Sequence, residues 1–434
     1  MKEMLRHIAP FDIAGWHRAC PYTCCGLLMT LFLLGCSDDT EQEELRGRVT
    51  IEAQYCASEF TDVEQPSDSR PMSSTTRAWT TPEYTNSKNE TKHFVTYDNI
   101  NGMFDGQKDL VNKSIGVFLT KDDGSPLETT FFYKKTSEGS RWQMSLDEIP
   151  GGDYHIYGYI PEEDAESATV SANGSYSNGA VLDIIGLKTV TASDVCVIVG
   201  AKDDPSYNSN VASYTVPGLQ QGQFDVRFYS SEGAKNYVFL LFDHLYSGLR
   251  FGFTIDSEYA KLRTIKLRKL ELIAYSTDAN AGVKAKYNAR ITLKKNTDGK
   301  TPIVGSVVFT PDDTSADVAP EPIFDWKDNP ANYVTLSTTA PSEFMGCFVP
   351  GDHTYFKLRS TYDVFDKNVT NAHPEGNLIR EGCQSENTID LRDFFGERLT
   401  TTRGHCYTFT FTVQPTYLYV LSEPDLDNPT VTMQ

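Results

Sequence analysis

The 434-residue chain holds no G-x-S-x-G, no Walker loop, no G-x-G-x-x-G behind a strand-like run and no H-E-x-x-H. The commonest hydrolase, nucleotide-binding and zinc-protease sites therefore have no foothold in it. It also lacks a C-x-x-C pair. Its nine cysteines (20, 24, 25, 36, 56, 196, 347, 383 and 406) are scattered, which argues against zinc and against a complete disulfide framework. Basic charge is scarce, 39 Lys and Arg against 59 Asp and Glu, for a net −20. A surface of that sign repels phosphate backbones and anionic membranes, so nucleic acid is not an expected partner. Outside the N-terminus there is no apolar run of the roughly 18 residues a membrane-spanning helix needs.

Isolated polar residues offer little chemistry. His244, beside Asp243 in "LFDHLYSGLRF", and His155, in "DYHIYGY", read as hydrogen-bonded core histidines rather than catalytic or metal-binding groups. Asp425 and Asp427 in "SEPDLDNPT" lack the Gly and terminal Glu of a calcium loop and read as a turn. "PEED" (161–164) and "PDD" (311–313) read as solvated turn carboxylates. No catalytic, cofactor-binding or metal-binding residue is expected, and so no enzyme.

What is present begins at the N-terminus. The run Gly26–Leu34, "GLLMTLFLL", is too short to cross a bilayer but fits the h-region of a secretory signal, with Lys2, Arg6 and Arg18 before it. "LLGC" (Leu33–Cys36) resembles the bacterial lipobox, in which the cysteine thiol receives diacylglycerol before the signal is removed. The apolar run stops at Cys36 and "SDDTEQEE" follows, which a buried structural cysteine would not explain. Residues 1–35 are thus expected to be a lipoprotein signal and Cys36 the palmitate-bearing anchor. The acidic "SDD" resembles the tag that sends Gram-negative lipoproteins to the cell-surface face of the outer membrane.

Beyond the tether the sequence reads as all-β. "RVTIEAQYCAS" (Arg48–Ser58) is strand-like, but residues 59–92 are polar and loop-like, which isolates it from any domain. Period-two runs follow at 114–120, 129–135, 153–161 and 194–200. "GLRFGFTI" sets Leu249, Phe251, Phe253 and Ile255 on one face, the mark of a half-buried strand, and "YTFTFTV" does the same with Tyr407, Phe409, Phe411 and Val413. In "TIKLRKLELIA" the apolar phase slips from Ile265 and Leu267 to Leu270 and Leu272, so a bulge is expected near Arg268–Lys269, after a helical turn over 256–262. A longer amphipathic helix from "DSEYAKL" is the rival. Cys196 and Cys406 read as small core residues, and a disulfide among Cys347, Cys383 and Cys406 stays open. The length suits two β-sandwiches, near 93–225 and 236–434, divided by the Gly-, Gln- and Ser-rich stretch 216–235.

Four segments together resemble the fimbrillins, subunits of type V pili: the lipobox with its acidic tag (Leu33–Asp39), "GGDYHIYGYIPEED", "LFDHLYSGLRFGFTID" with "IKLRKLELIAYS", and "YDVFDKNVTNAHPEGNLIR" with "GHCYTFTFTVQPTYLYVLSEPDLDNPTV". The resemblance implies two tandem transthyretin-like antiparallel β-sandwiches. It implies a surface lipoprotein whose first strand is removed by a trypsin-like protease and replaced by a strand from another pilus subunit. On this chain the leaving strand would be Arg48–Ser58 and the cut Arg77–Ala78, since Arg70 is followed by Pro71. A candidate donor or terminal strand is Tyr417, Leu418, Tyr419, Val420 and Leu421. Refilling such a groove with four or five apolar side chains would contribute roughly 6–15 kcal/mol before ordering costs. The expected partners are other pilus subunits, the protease, the outer membrane through the lipid, and an unidentified host or bacterial receptor. The alternative is a monomeric surface lipoprotein that binds glycans through exposed aromatics.

Overall fold

A computed structural model of the chain describes residues 113–413, apart from breaks at 137–138, 146–148, 208–217, 230–235, 276–282, 296–302, 327–328 and 397, together with the backbone of five short strands between residues 48 and 96. Those five are β1 (Arg48–Ile51), β2 (Cys56–Ser58), β3 (Thr61–Asp62), β4 (Glu83–Thr85) and β5 (Thr91–Thr96). Then come β6 (Ile115–Thr120), β7 (Leu127–Thr136), β8 (Gly139–Ser145), β9 (Gly152–Ile160), β10 (Ser167–Asn173), β11 (Ser175–Lys188), β12 (Val190–Thr191), β13 (Cys196–Asp203), β14 (Asp225–Phe228) and β15 (Asn236–His244). The second half holds β16 (Ser247–Ile255), helix α1 (Ser257–Leu262), β17 (Arg263–Tyr275), β18 (Lys286–Lys294), β19 (Val304–Pro311), β20 (Glu321–Asp325), β21 (Val334–Thr335), β22 (Ser342–Phe348), β23 (Tyr355–Asp366), β24 (Leu378–Asp390), helix α2 (Leu391–Phe395) and β25 (His405–Val413). The all-β class is as expected, and each period-two run of the first half becomes a strand.

Seven strands of the first half close on themselves. Each is hydrogen-bonded to the next in the order β1-β8-β7-β6-β9-β13-β15, and β15 pairs back to β1. Inside the ring lies a core of Ile115, Val117, Leu119, Phe131, Trp142, Ile156, Ile198, Val238, Leu240, Phe242 and their neighbours. The alternate residues of the same strands, such as Phe118, Tyr157, Val197, Phe239 and Leu241, face a four-stranded sheet in the order β10-β11-β18-β19. In β18, Tyr287, Ala289, Ile291 and Leu293 are buried while the residues between them are not, the period-two signature of a sheet with one dry face.

The C-terminal sandwich packs the sheet β12-β22-β16-β25 against β20-β17-β23-β24. Its core contains Leu249, Phe251, Phe253, Ile255, Tyr407 and Phe409, the faces expected from the alternation. The pairing of β17 with β23 shifts register between Leu267 and Lys269, so Arg268 is the extra residue of the expected bulge. The helical turn also forms, because the Asp256 side chain accepts from the backbone N–H groups of Glu258 and Tyr259 at its start.

Three expectations change. The stretch 216–235 does not separate the strands by sheet: β15, beyond it, completes the first ring, and β18 and β19 extend the sheet of β10 and β11. Likewise β16 is not half-buried, since Arg250 and Gly252 on its second face are covered too. The reason is packing at the junction. Met345, Cys347 and Cys406, from the strands flanking β16, belong to the hydrophobic cluster of the first half, so β16 is dry on both sides along most of its length. "PEED" is not wholly solvated either. Asp164 is buried, accepts from the Thr191 hydroxyl at 3.3 Å and lies 3.9 Å from Lys113 Nζ; burial pushes its carboxyl above the usual range against the pull of that lysine.

Candidate functional site

The feature that most needs explaining is how the ring closes. Within it, β6, β7, β8 and β9 are joined by short links and pair antiparallel. That meander would end at β8 with an open edge, and β13-β15 would end at β15 with another. Both edges are covered by a segment that comes from far upstream. β1 runs antiparallel to β8, pairing Arg48 through Ile51 with Ser145 through Trp142, and parallel to β15, pairing Val49, Thr50 and Ile51 with Asn236, Tyr237 and Val238.

β2 continues along the same strand, pairing Cys56 and Ala57 in parallel with Leu241 and Phe242. The edge of β15 opposite β13 is thus lined by two parts of residues 48–58, the segment read from the sequence as the strand that leaves. On its far side β2 pairs antiparallel with β5. β3 runs parallel to β25, with Thr61 and Asp62 opposite His405 and Cys406, so residues 48–62 reach from the first ring to the last described strand.

Ile51, the last residue of β1, lies opposite both Trp142 and Val238. Those two are fully buried in the ring core. Trp142 is anchored from the other side, its indole Nε1 donating to the Lys113 carbonyl at 2.7 Å. Taking the segment away would leave unpaired N–H and C=O groups on β8 and β15 and remove the backbone that bridges them, the combination that makes an edge bind another strand.

The structure does not describe the other positions singled out in the sequence. Cys36, Arg77, Ala78 and Tyr417–Leu421 lie outside the described residues, as do Asp425 and Asp427. His244 is a core histidine bonded to a carboxylate, as expected, with Asp194 as its partner. No disulfide joins Cys347, Cys383 and Cys406. Among the described residues no helix is long and apolar enough to cross a membrane.

A cleft of about 720 Å³ opens where β9, β13 and β14 meet the β6–β7 turn. It is a mosaic of opposed charges. His155 Nδ1 lies 2.8 Å from Asp225 Oδ1 and its Nε2 3.9 Å from Asp122 Oδ2, Lys295 also reaches Asp225, and Arg227 reaches Asp153. The Ser177 backbone N–H donates to Asp122 and holds its carboxyl below the usual range. The aromatic rings in the cleft have cations over them, Lys121 on Tyr154 at 4.4 Å and Arg227 near Tyr229 at 5.7 Å. A cation thus lies over each of these rings, and most of the charges in the cleft face an opposite one.

No family model and no curated protein matches the chain. Among solved structures it is similar to a candidate cell adhesion protein from Bacteroides uniformis, at 11% identity, TM-score 0.30, covering 70% of this chain and 87% of that one. It is similar to a fimbrial protein from Bacteroides vulgatus, at 13% identity, TM-score 0.25, covering 69% and 88%. A third is a candidate polysaccharide-binding protein from Bacteroides thetaiotaomicron, at 11% identity, TM-score 0.24, covering 84% and 91%. Fimbrial and adhesion proteins are thus among its structural neighbours.

Proposed function

We propose that the protein is a structural subunit of a cell-surface pilus, exported as a lipoprotein through Cys36 and assembled by proteolysis-triggered strand exchange, with adhesion or biofilm formation as its role and no catalysis of its own. The observation that carries this reading is the closure of the ring by β1 and the lining of the β15 edge by β1 and β2. A segment that lies between two edges otherwise open, and that is followed by a polar stretch of sequence containing Arg77, is one that a single cut can release. The vacated groove then takes an extended strand from a neighbouring subunit by β-augmentation. Parallel pairing on one side and antiparallel on the other dictate which way the incoming strand must run to reproduce both contacts. The cleft of opposed charges, with a cation over each of its rings, weighs against the glycan-binding alternative.

Limited trypsin digestion of folded protein beginning at Ser37, followed by intact mass and size-exclusion chromatography, tests the proposal. A single rapid cut after Arg77, loss of residues 37–77 and growth of SDS-resistant oligomers are expected. A chain that is cut there but keeps the fragment and stays monomeric would contradict strand exchange. A chain with no preferred cut at Arg77 would overturn the maturation site.

A further inference from the structure

The junction of β13, β15 and the C-terminal sheet holds polar chemistry that the pilus reading does not use. Asp194 and Cys196 stand two residues apart in "DVCVIVG". Cys196 is the direct register partner of His244 on the neighbouring strand, so β pairing brings together groups separated by 48 residues. Asp194, Cys196 and His244 are each less than a tenth exposed, at 6%, 0% and 4%. His244 Nδ1 lies 2.5 Å and Cys196 Sγ 3.0 Å from the same oxygen, Asp194 Oδ2, and the thiol is 3.8 Å from that ring nitrogen. The three donor atoms therefore meet in one buried spot.

Hydrogen bonding explains only half of the carboxylate. Oδ2 serves both neighbours, while Oδ1, equally buried, has no partner. A buried, unsatisfied carboxylate oxygen is costly and rare in native structures. From this orphan oxygen beside a thiol and an imidazole, we propose that Asp194, Cys196 and His244 form a structural zinc site at the junction of the two halves of the chain.

The chemistry of the set fits. Thiolate, imidazole and carboxylate together suit a borderline-soft dication, zinc above calcium or magnesium. Zinc enters as the dication, Cys196 releases its thiol proton to solvent, and the neutral imidazole keeps its one proton on Nε2 so that Nδ1 can bind. The charges of carboxylate and thiolate then cancel those of the metal, which leaves a neutral group in a buried place.

Zinc at about 2.0 Å from oxygen and nitrogen and 2.3 Å from sulfur separates tetrahedral ligands by roughly 3.3–3.6 Å. The present sulfur–nitrogen distance is already close to that. The carboxylate must withdraw by less than about 1 Å, or turn to present the unpartnered Oδ1. Water would fill the fourth position, so Cys196 is the one thiolate of the site.

The test is the full chain, purified in detergent and refolded from denaturant with zinc sulfate or cobalt chloride under reducing conditions, then desalted and assayed by elemental analysis and absorbance. One equivalent of zinc per chain, one proton released on binding, and a thiolate-to-cobalt charge-transfer band are expected. Cys196→Ser should abolish the band and His244→Gln should lower the retained zinc at least tenfold, whereas Cys383→Ser, at an outlying thiol, should change neither. Wild-type protein that retains no stoichiometric zinc, or whose cobalt adduct lacks a thiolate band, would overturn the proposal even if the variants fail to fold. A band that persists in folded Cys196→Ser would overturn it too.

Discussion

Replacing Trp142 by phenylalanine probes the groove directly. The indole is wholly enclosed in the ring core, beside the register position held by Ile51 of the closing strand, and its Nε1 donates to the Lys113 carbonyl. Phenylalanine keeps an aromatic ring there but removes the donor and part of the volume. Stranding the carbonyl costs about 1–3 kcal/mol and the unfilled volume about 1 more, so a loss of about 2–4 kcal/mol is expected. That is a large share of the 5–15 kcal/mol that ordinarily stabilises a domain. Urea titration followed by far-UV circular dichroism reads the loss as a lower midpoint at unchanged slope. Trp326, edge-on to Phe324 in the second sandwich, gives a fluorescence signal from the other half of the molecule.

The same substitution in a chain processed at Arg77 should cost less, because the strand bordering that side of the ring has gone. The difference between the two losses measures the coupling of Trp142 to the closing segment. A loss within about 0.5 kcal/mol of zero in the unprocessed chain, the range of an ordinary surface change, would refute the enclosure of the indole.

The alkaline limit of stability follows from buried phenols. Burial raises the pKa of Tyr157, whose hydroxyl donates to the Tyr176 carbonyl, and of Tyr246, whose hydroxyl donates to the Lys188 carbonyl, both well above the ordinary 10.0. A raised folded pKa means that the contribution is full below pH 10 and lost above it. Two such groups take away about 3 kcal/mol per pH unit beyond that point, and a urea midpoint that stays flat through pH 11.5 would contradict it. At the acid end, the Asn377 and Asn368 backbone N–H groups hold the Asp366 carboxyl down at about 2. Its clamp on the β23–β24 connection is therefore present above the ordinary 3.8 and released as pH falls through 2. Asp366→Asn should raise amide exchange over residues 367–377 at neutral pH, and unchanged protection there would count against the clamp. Gly158→Ala would put a Cβ 2.1 Å from the Gly116 carbonyl oxygen, inside the β6–β9 pairing. A loss of at least about 1–3 kcal/mol on thermal or urea unfolding is expected, and a neutral result would mean that these strands are farther apart than described.

Local periodicity carried much of this fold. Alternation in "GLRFGFTI" and "YTFTFTV" was enough to assign the core faces, because a strand's side chains change sides at every residue whatever lies above it. The phase slip at Arg268 foretold the bulge for the same reason, and Asp256 announced the helical turn because a cap acts on its own next few residues. The oddly isolated strand at 48–58 was legible too, as a strand without a domain.

Its destination was not. Nothing in "RVTIEAQYCAS" names Trp142 or Val238 as neighbours, since strand pairing joins backbone groups that every sequence shares, and only the closure of the ring selects the partner. Long-range packing also decided which polar groups lost their water. Asp164, in an ordinary acidic turn, and the pair Asp194 and Cys196 with His244, 48 residues beyond Cys196, are buried because sheets from both halves close over them. A one-dimensional pattern records which face of a strand is apolar; what comes to lie against that face is settled when distant segments compete to cover it.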